Sequence, residues 1–475
     1  MCAVLLGPPT LDAIASRPAG DLQALKAAKD APPPSIVVVF ADDLGYGDLG
    51  AYGHPTIRTP RLDRMAAEGI RFTQFYAAAS VCTPSRAALL TGRLPIRSGM
   101  SSDRRRVLFP DSGGGLPADE ITLARALKTK NYATAAVGKW HLGHLETFLP
   151  TRHGFDFYYG IPYSNDMDRL NDEHVPKGRA AFADPKIEYW NVPLMRNETI
   201  IERPADQTTI TKRYTDEAVR FIEQHREQPF FVYLAHSMPH VPLFRSPDFE
   251  GVSARGLYGD VIEEIDRSTG RILDALQRLG LDQNTIVWFT SDNGPWLTFA
   301  EQGGSAGLLR EGKGSTWEGG MRVPGIARWP GHIPAGAVSL DVASTMDIFT
   351  TSLQLAGVAV PDDRIIDGVD LSAVLSGTGK SPRDTMFFYR GDRLMAVRHG
   401  PWKAHFITQA GYGDDAPETH DPPLLFHLQQ DPSEQYDRSK DHPGVVAEIN
   451  QLVERHRADL KAPPSQLEIP LANQN

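Results

Sequence analysis

The sequence predicts an α/β fold: a large, mostly parallel or mixed sheet sandwiched by helices, followed by a smaller C-terminal domain with an antiparallel sheet and one helix. Three observations predict it. Continuous runs rich in β-branched and aromatic residues recur at 36–40, 132–137, 230–235 and 285–290, the pattern of strands buried on both faces. Helical patterns at 59–68, 122–128, 215–224 and 258–279 lie between them, and such alternation gives a parallel sheet covered on both sides. Beyond 376 the texture changes to short strands at 385–389, 394–398, 402–406 and 424–428, closed by a helical run at 444–460.

At 475 residues the chain exceeds what one hydrophobic core serves. A large domain at 36–375 and a small α+β domain at 376–475 are expected, after a lead-in over 1–35 that ends in the stiff Ala31-Pro32-Pro33-Pro34. The content of 41% hydrophobic and 23% charged residues is that of a globular protein. A net charge of -10 argues against a nucleic-acid partner, though not against a local cationic pocket. Arg104-Arg105-Arg106 reads as a solvated loop. No apolar run reaches the roughly 18 residues of a membrane span. Met1 to Leu6 has neither the charged start nor the long apolar core of a secretory signal. Cys2 and Cys82 are the only cysteines, so no disulfide framework exists and redox habit does not fix the compartment.

In parallel sheets ligands sit at the carboxyl ends of strands, and each predicted strand leads into a polar cluster. Asp42-Asp43 and Asp292-Asn293 follow two of them and could converge on one spot. Four oxygen donors without thiolate or imidazole point to a hard cation, calcium being favoured over magnesium if the carboxylates bind flexibly. Each pair alone is equally an ordinary acidic turn. Gly138-Lys139-Trp140-His141 follows a third strand and alone reads as a surface turn. His236 and His240 follow a fourth; an imidazole suits protonation of a leaving alkoxide, and His236 is read as structural.

The most informative stretch is Val81-Cys82-Thr83-Pro84-Ser85-Arg86, continuing to Leu90-Thr91-Gly92-Arg93. Pro84 suits the first position of a helix with Cys82 near its cap, and such a helix start offers N–H groups to an anion. Arg86, one turn in, adds a forked cation. Read alone, Cys82 is a nucleophile, a residue to be modified, or a buried core cysteine.

Cys-x-Pro-Ser-Arg followed by Leu-Thr-Gly-Arg resembles the signature of the formylglycine-dependent type I sulfatases of the alkaline phosphatase superfamily, in their arylsulfatase A-like and N-acetylgalactosamine-6-sulfatase-like branch. The resemblance runs over about 35–460, with Ala-Asp-Asp-x-Gly-Tyr-Gly-Asp, Ser-Asp-Asn-Gly and Gly-Lys-x-x-x-x-Glu-Gly-Gly among its motifs. It implies that Cys82 is oxidised to an aldehyde whose hydrate attacks sulfur, the second hydroxyl then letting sulfate leave. It implies one Ca2+ ion on Asp42, Asp43, Asp292 and Asn293. It places Lys139 and Lys313 on sulfate, Lys313 also on the leaving-group oxygen, His141 on the aldehyde diol, His240 on the leaving group and Ser164 at the pocket border, while Arg86 is a further candidate cation for the sulfuryl oxygens that positions the diol and the sulfate. Asn165 departs from the family branch, which has histidine there.

The resemblance further implies a sulfatase acting on an aryl or carbohydrate sulfate monoester, with a sulfated small molecule or glycan as substrate. A formylglycine-generating or equivalent enzyme would be its maturation partner, and a periplasmic or secreted location is favoured. Two alternatives stay open: a phosphonate or phosphate diester hydrolase of the same superfamily, and a non-catalytic homologue that binds sulfated glycans. Loops over 97–115 and 166–197 are read as the substrate-selecting walls. Gly312-Lys313-Gly314-Ser315-Thr316 is not read as a nucleotide phosphate loop.

Overall fold

Every residue of Ser35–Ala41 is buried, and the segment forms β1 near the middle of a ten-stranded sheet. The computed structural model describes residues 32–413 and 416–471, so Cys2 and the lead-in up to residue 31 lie outside the described residues. The further strands of the large sheet are β2 (Ile70–Tyr76), β3 (Ala133–Gly138), β4 (Phe157–Gly160), β5 (Leu194–Arg196), β6 (Thr199–Glu202), β7 (Phe230–Ala235), β8 (Thr285–Ser291), β9 (Arg322–Arg328) and β10 (Ala337–Ser344). Their order is β10-β2-β9-β8-β1-β7-β3-β4-β5-β6. The block β8-β1-β7-β3-β4 is parallel throughout, which carries the ends of β1, β3, β7 and β8 to one edge.

Antiparallel pairing enters at the flanks, where β9 opposes both β2 and β8 and the β5–β6 hairpin closes the far side. The sequence hides β9 because Pro324 and Gly325 interrupt it. The sheet absorbs both where β2 shifts register between Phe72 and Phe75. There Tyr52 Oη accepts from Gly325 N at 2.8 Å, taking the place of a ladder partner.

Alternate residues of β1 feed two cores. Ile36, Val38 and Phe40 pack in one cluster with Leu89 and Leu90 of the Cys82–Thr91 helix and Ile348 and Phe349 of the Thr345–Leu355 helix. Val37 and Val39 pack in the other with Leu62 of Pro60–Ala67, Ile222 of Ile210–Gln224 and Ile262 of Leu257–Arg278. This is the covered sheet that the apolar runs predict. No described helix is long and apolar enough to cross a membrane.

The smaller sheet has the antiparallel order β11 (Thr385–Arg390), β12 (Arg393–His399), β13 (Trp402–Thr408), β14 (Glu418–His427). Its edge strand β14 starts earlier than expected and contains Pro422 and Pro423, which an edge tolerates because no neighbour needs their N–H groups. One apolar cluster joins Met386, Phe388 and Ala396 of this sheet to Val446, Ile449 and Val453 of the Pro443–Asp459 helix. The same cluster contains Tyr76 and Ala88 from the larger layer.

Candidate active site

The turns after the parallel strands are stitched together by the backbone. Asp42 N donates to Met238 O at 3.1 Å, His236 N to Phe40 O at 2.8 Å, and Asp292 N to Ala41 O at 3.2 Å. Asp43 N donates to Asp292 Oδ1 at 3.0 Å, joining the two acidic pairs that lie far apart in sequence. Gly138 has φ 112°, and a Cβ there would lie 1.8 Å from Ala235 O; only glycine lets Lys139 leave the sheet at this point. Asp43 and His141 hold φ values of 65° and 59°, left-handed backbone that non-glycine residues adopt at a cost.

Cys82 is the first residue of the Cys82–Thr91 helix, which is buried along its whole length. Pro84 is therefore its third residue, not its first; the N–H it lacks is still among the four without an intrahelical acceptor. Cys82 Sγ lies 3.5 Å from Asp42 Oδ1 and 3.5 Å from Lys313 Nζ. Burial pushes its thiol well above the ordinary range against the pull of Lys139 and Lys313, so the side chain is a neutral thiol at physiological pH. That speaks against a thiolate nucleophile.

Three buried carboxylates face three buried cations. Lys139 Nζ donates to Asp42 Oδ2 at 2.6 Å and to Ser164 Oγ at 3.0 Å. Lys313 Nζ donates to Asp43 Oδ2 at 2.8 Å. Arg86 grips Asp292 Oδ2 through Nε at 3.1 Å and NH2 at 2.8 Å, reaches Lys139 O at 3.0 Å, and lies 3.4 Å from Asp42 Oδ1. Arg86 is expected from the sequence as a cation for the sulfuryl oxygens, but its buried guanidinium is committed to Asp292, Asp42 and Lys139 O, so it braces the carboxylates instead. Burial would raise Asp42, but Lys139 and Arg86 overcome it and hold the group well below the carboxylate range. Burial and the charge of Asp42 win at Asp292, which rises to about 7, and burial likewise raises Asp43.

His141 Nε2 lies 2.9 Å from Leu108 O; a carbonyl only accepts, so this nitrogen carries the proton and Nδ1 is a buried acceptor without a protein partner. The same reasoning at His240, whose Nδ1 is 2.6 Å from Val241 O, leaves Nε2 unprotonated, 3.7 Å from Asp43 Oδ2. Burial, reinforced by Lys139 at His141 and by Lys313 and Lys139 at His240, depresses both imidazoles well below their usual range. His236 faces away toward Ser268 Oγ at 3.1 Å, and burial lowers it to about 3. Asn165 Nδ2 donates to Gln207 Oε1 at 3.1 Å and Pro242 O at 3.1 Å, so it fastens the turn that carries His240.

The donor set suits a hard cation. One ligand atom each from Asp42, Asp43, Cys82 and His240 falls within 4.8 Å of the others, yet a neutral thiol is a poor ligand. Oxygen dominates the remainder. Asn293 Nδ2 donates to Asp43 Oδ1 at 2.7 Å while its own Oδ1 is buried without a partner, and Asp43 and Asp292 stay raised although Lys313 and Arg86 pair with them. A divalent ion held by oxygens would satisfy all three groups.

Two residues around the site, Trp296 and Tyr412, carry no local signal in the sequence. Trp296 lies beneath Lys313, with Nζ 4.2 Å from the ring centroid, and touches the His240 ring at 5.3 Å. Tyr412, from the β13–β14 connection, packs on Trp296 at 4.9 Å. Glu318, whose neighbours Gly319 and Gly320 complete the Lys313 motif, pairs with Lys403 of β13 at 2.9 Å. From Gly307 the Lys313 segment does show the Gly-x4-Gly-Lys spacing of a phosphate loop, but Gly314 stands where that motif needs Ser or Thr. A four-residue helix, Glu318–Met321, follows it instead of the long helix a phosphate loop opens.

The parallel block thus gathers carboxylates, lysines and a buried cysteine at one edge, a site able to hold a cation and an anion together. The sulfatase family matches residues 34–358, and the C-terminal region of aryl-sulfatase matches residues 381–474. The chain belongs to the sulfatases and is a sulfuric ester hydrolase. It is similar to arylsulfatase A of Bos taurus, 45% identical over 90% of this chain and 87% of that one. N-acetylgalactosamine-6-sulfatase of Mus musculus is 42% identical over 95% and 91% of the two chains. Among solved structures, a sulfatase from a Pseudoalteromonas species superposes with TM-score 0.80 at 32% identity, covering 92% of each chain.

Proposed function

We propose that the enzyme hydrolyses the sulfate monoester of an aryl or carbohydrate hydroxyl, with Cys82 converted to formylglycine by a maturation enzyme and one calcium ion on Asp42, Asp43, Asp292 and Asn293. One observation carries the reading. A cysteine kept as a neutral thiol stands within 3.5 Å of both a carboxylate and a lysine, in a buried site built for an anion and a cation together. Formylglycine at this position supplies a hydrated aldehyde, a hydroxyl nucleophile that the thiol cannot be. Calcium supplies positive charge for the sulfuryl oxygens and for the ionising hydroxyl.

The chain's own residues do the rest. Lys139 and Lys313 place fixed positive charge where the sulfuryl oxygens gather charge, and Ser164 Oγ orients Lys139. His141 Nδ1, unprotonated and without a protein partner, takes up a proton from the nucleophile side. Burial, reinforced by Lys313 and Lys139, keeps His240 neutral; the negative charge of a bound sulfate works against all three, so Nε2 gains a proton and delivers it to the leaving oxygen. Lys313 stands beside it to stabilise the same oxygen.

Mass spectrometry of the Cys82 peptide from active enzyme tests the reading, alongside sulfate release before and after chelation and calcium return. Aldehyde at position 82 with calcium-restored turnover is expected. A fully active enzyme with an intact thiol would sink it, and preferential turnover of a phosphate diester on the same leaving group would redirect it.

A further inference from the structure

The groups assigned to the leaving oxygen rest on an aromatic wall that belongs to two parts of the chain. Trp296 follows the metal-site turn, supports Lys313 Nζ at 4.2 Å from its centroid, and meets the His240 ring at 5.3 Å and Phe299 edge-on at 4.8 Å. Tyr412 comes from the connection between β13 and β14 and packs on Trp296 at 4.9 Å with the planes 32° apart. Both rings are half-buried.

Arg106 locks this arrangement. Its NH1 donates to Gly411 O at 2.9 Å and its NH2 to Gly314 O at 2.8 Å, bridging the connection to the Lys313 segment, and its guanidinium lies 4.8 Å from the Tyr412 centroid. A Cβ at Gly411 would come within 2.2 Å of Lys313 O, so glycine is what lets the connection approach so closely. Tyr412 is therefore held against the site by contacts with the lysine segment itself.

We propose that Trp296 and Tyr412 form the wall on which the leaving group packs, and that these two residues favour leaving groups containing a ring, aryl or pyranosyl, over open-chain alkyl ones. The inference rests on the sulfate-ester reading above. An oxygen hydrogen-bonded to Lys313 Nζ carries its first carbon atoms alongside the indole, because the ammonium already sits on that ring. A rigid ring meets the wall with a whole face of π-density or C–H groups and loses little freedom in doing so. A short alkyl chain has no such face.

The test uses the full chain with Cys82→Ala, loaded with calcium, so that ligands bind without turnover. Affinities of 4-nitrophenyl sulfate, galactose 6-sulfate and butyl sulfate are measured by calorimetry with and without Tyr412→Ala and Trp296→Ala. Each truncation is expected to lower the ring-over-alkyl preference by about tenfold, with Tyr412→Phe retaining it. A fall confined to the aryl or to the sugar ligand supports the wall and says which ring it serves. Equal losses for all three ligands, or none, overturn it. Wild-type enzyme that releases no sulfate, yet whose Cys82→Ala form prefers rings, refutes the hydrolase reading and not the wall; active enzyme with unchanged variants refutes the wall alone.

Discussion

Lys403 Nζ, on β13 of the small sheet, donates to Glu318 Oε1 at 2.9 Å and to Thr316 O at 2.8 Å within the segment that carries Lys313. Glu434 joins the same ammonium at 3.1 Å and accepts Glu318 N at 2.7 Å, while His405 bonds Glu434 at 2.7 Å. Tyr76 on β2 donates to the other Glu318 oxygen at 2.6 Å. The small sheet thus fixes the backbone of a site lysine through charges with no exposed surface.

Lys403→Met leaves Glu318 and Glu434 buried without their shared cation. Removing one partner of such a pair costs about 3–5 kcal/mol, so urea denaturation should show a loss of that size. The companion Glu318→Gln, which keeps shape and one hydrogen bond, should lose less.

Glu318 also sets an acid limit. Burial would raise it, but Lys403, Arg322 and Arg398 bring it down to about 2. A depressed carboxylate contributes stability that is complete above its unfolded value, about 4.5, and is lost as the pH falls through about 2. Wild-type melting temperature should fall across that window more steeply than that of Glu318→Gln, as read by calorimetry.

Asp292 gives the opposite sign. Its carboxyl rises to about 7, chiefly through burial and then the charge of Asp42. The stability this group contributes is complete below about 4 and is lost as the pH climbs through about 7, because the metal-free site resists its ionisation. Calcium needs the ionised form. The rise in melting temperature on adding calcium should therefore be small near pH 4 and fully developed above pH 7. Asp43→Asn should abolish most of that rise, and an unchanged rise would remove Asp43 from the metal site.

Cys82→Ala replaces a buried side chain that accepts no strong hydrogen bond, so the fold should persist with a near-native melting temperature. Turnover should drop by at least about a thousandfold, the effect of deleting a nucleophile. Sulfate release at the wild-type rate would refute the assignment.

What the sequence made legible was local. Asp42-Asp43, Lys139-x-His141 and Asp292-Asn293 announce themselves because each follows a continuous apolar run, and parallel pairing of those runs brings the turns together. Strand β9 was illegible because its Pro324 and Gly325 are accommodated by a register shift in β2 and by Tyr52, neither of which is near them in sequence. Lys403 and Tyr412 escaped for a related reason. Their meaning comes from contacts with Glu318 and Trp296, 85 residues away in the first case, which nothing near them in sequence announces. Arg86 was legible as a cation but not in its partners, since its grip on Asp292 spans 206 residues.

His240 should reveal its role through the leaving group. Its Nδ1–H is committed to Val241 O and only Nε2 faces Asp43 and the site, so its one free action is to carry a proton there. A sugar alkoxide needs that proton and a nitrophenolate does not. His240→Gln should lower kcat for galactose 6-sulfate by about a hundredfold, the scale of a lost general acid, and for 4-nitrophenyl sulfate by only a few-fold. Comparable losses on both substrates would mean that the imidazole serves the sulfuryl group or the metal site instead, leaving Lys313, at 2.8 Å from Asp43 Oδ2, as the remaining donor to the leaving oxygen.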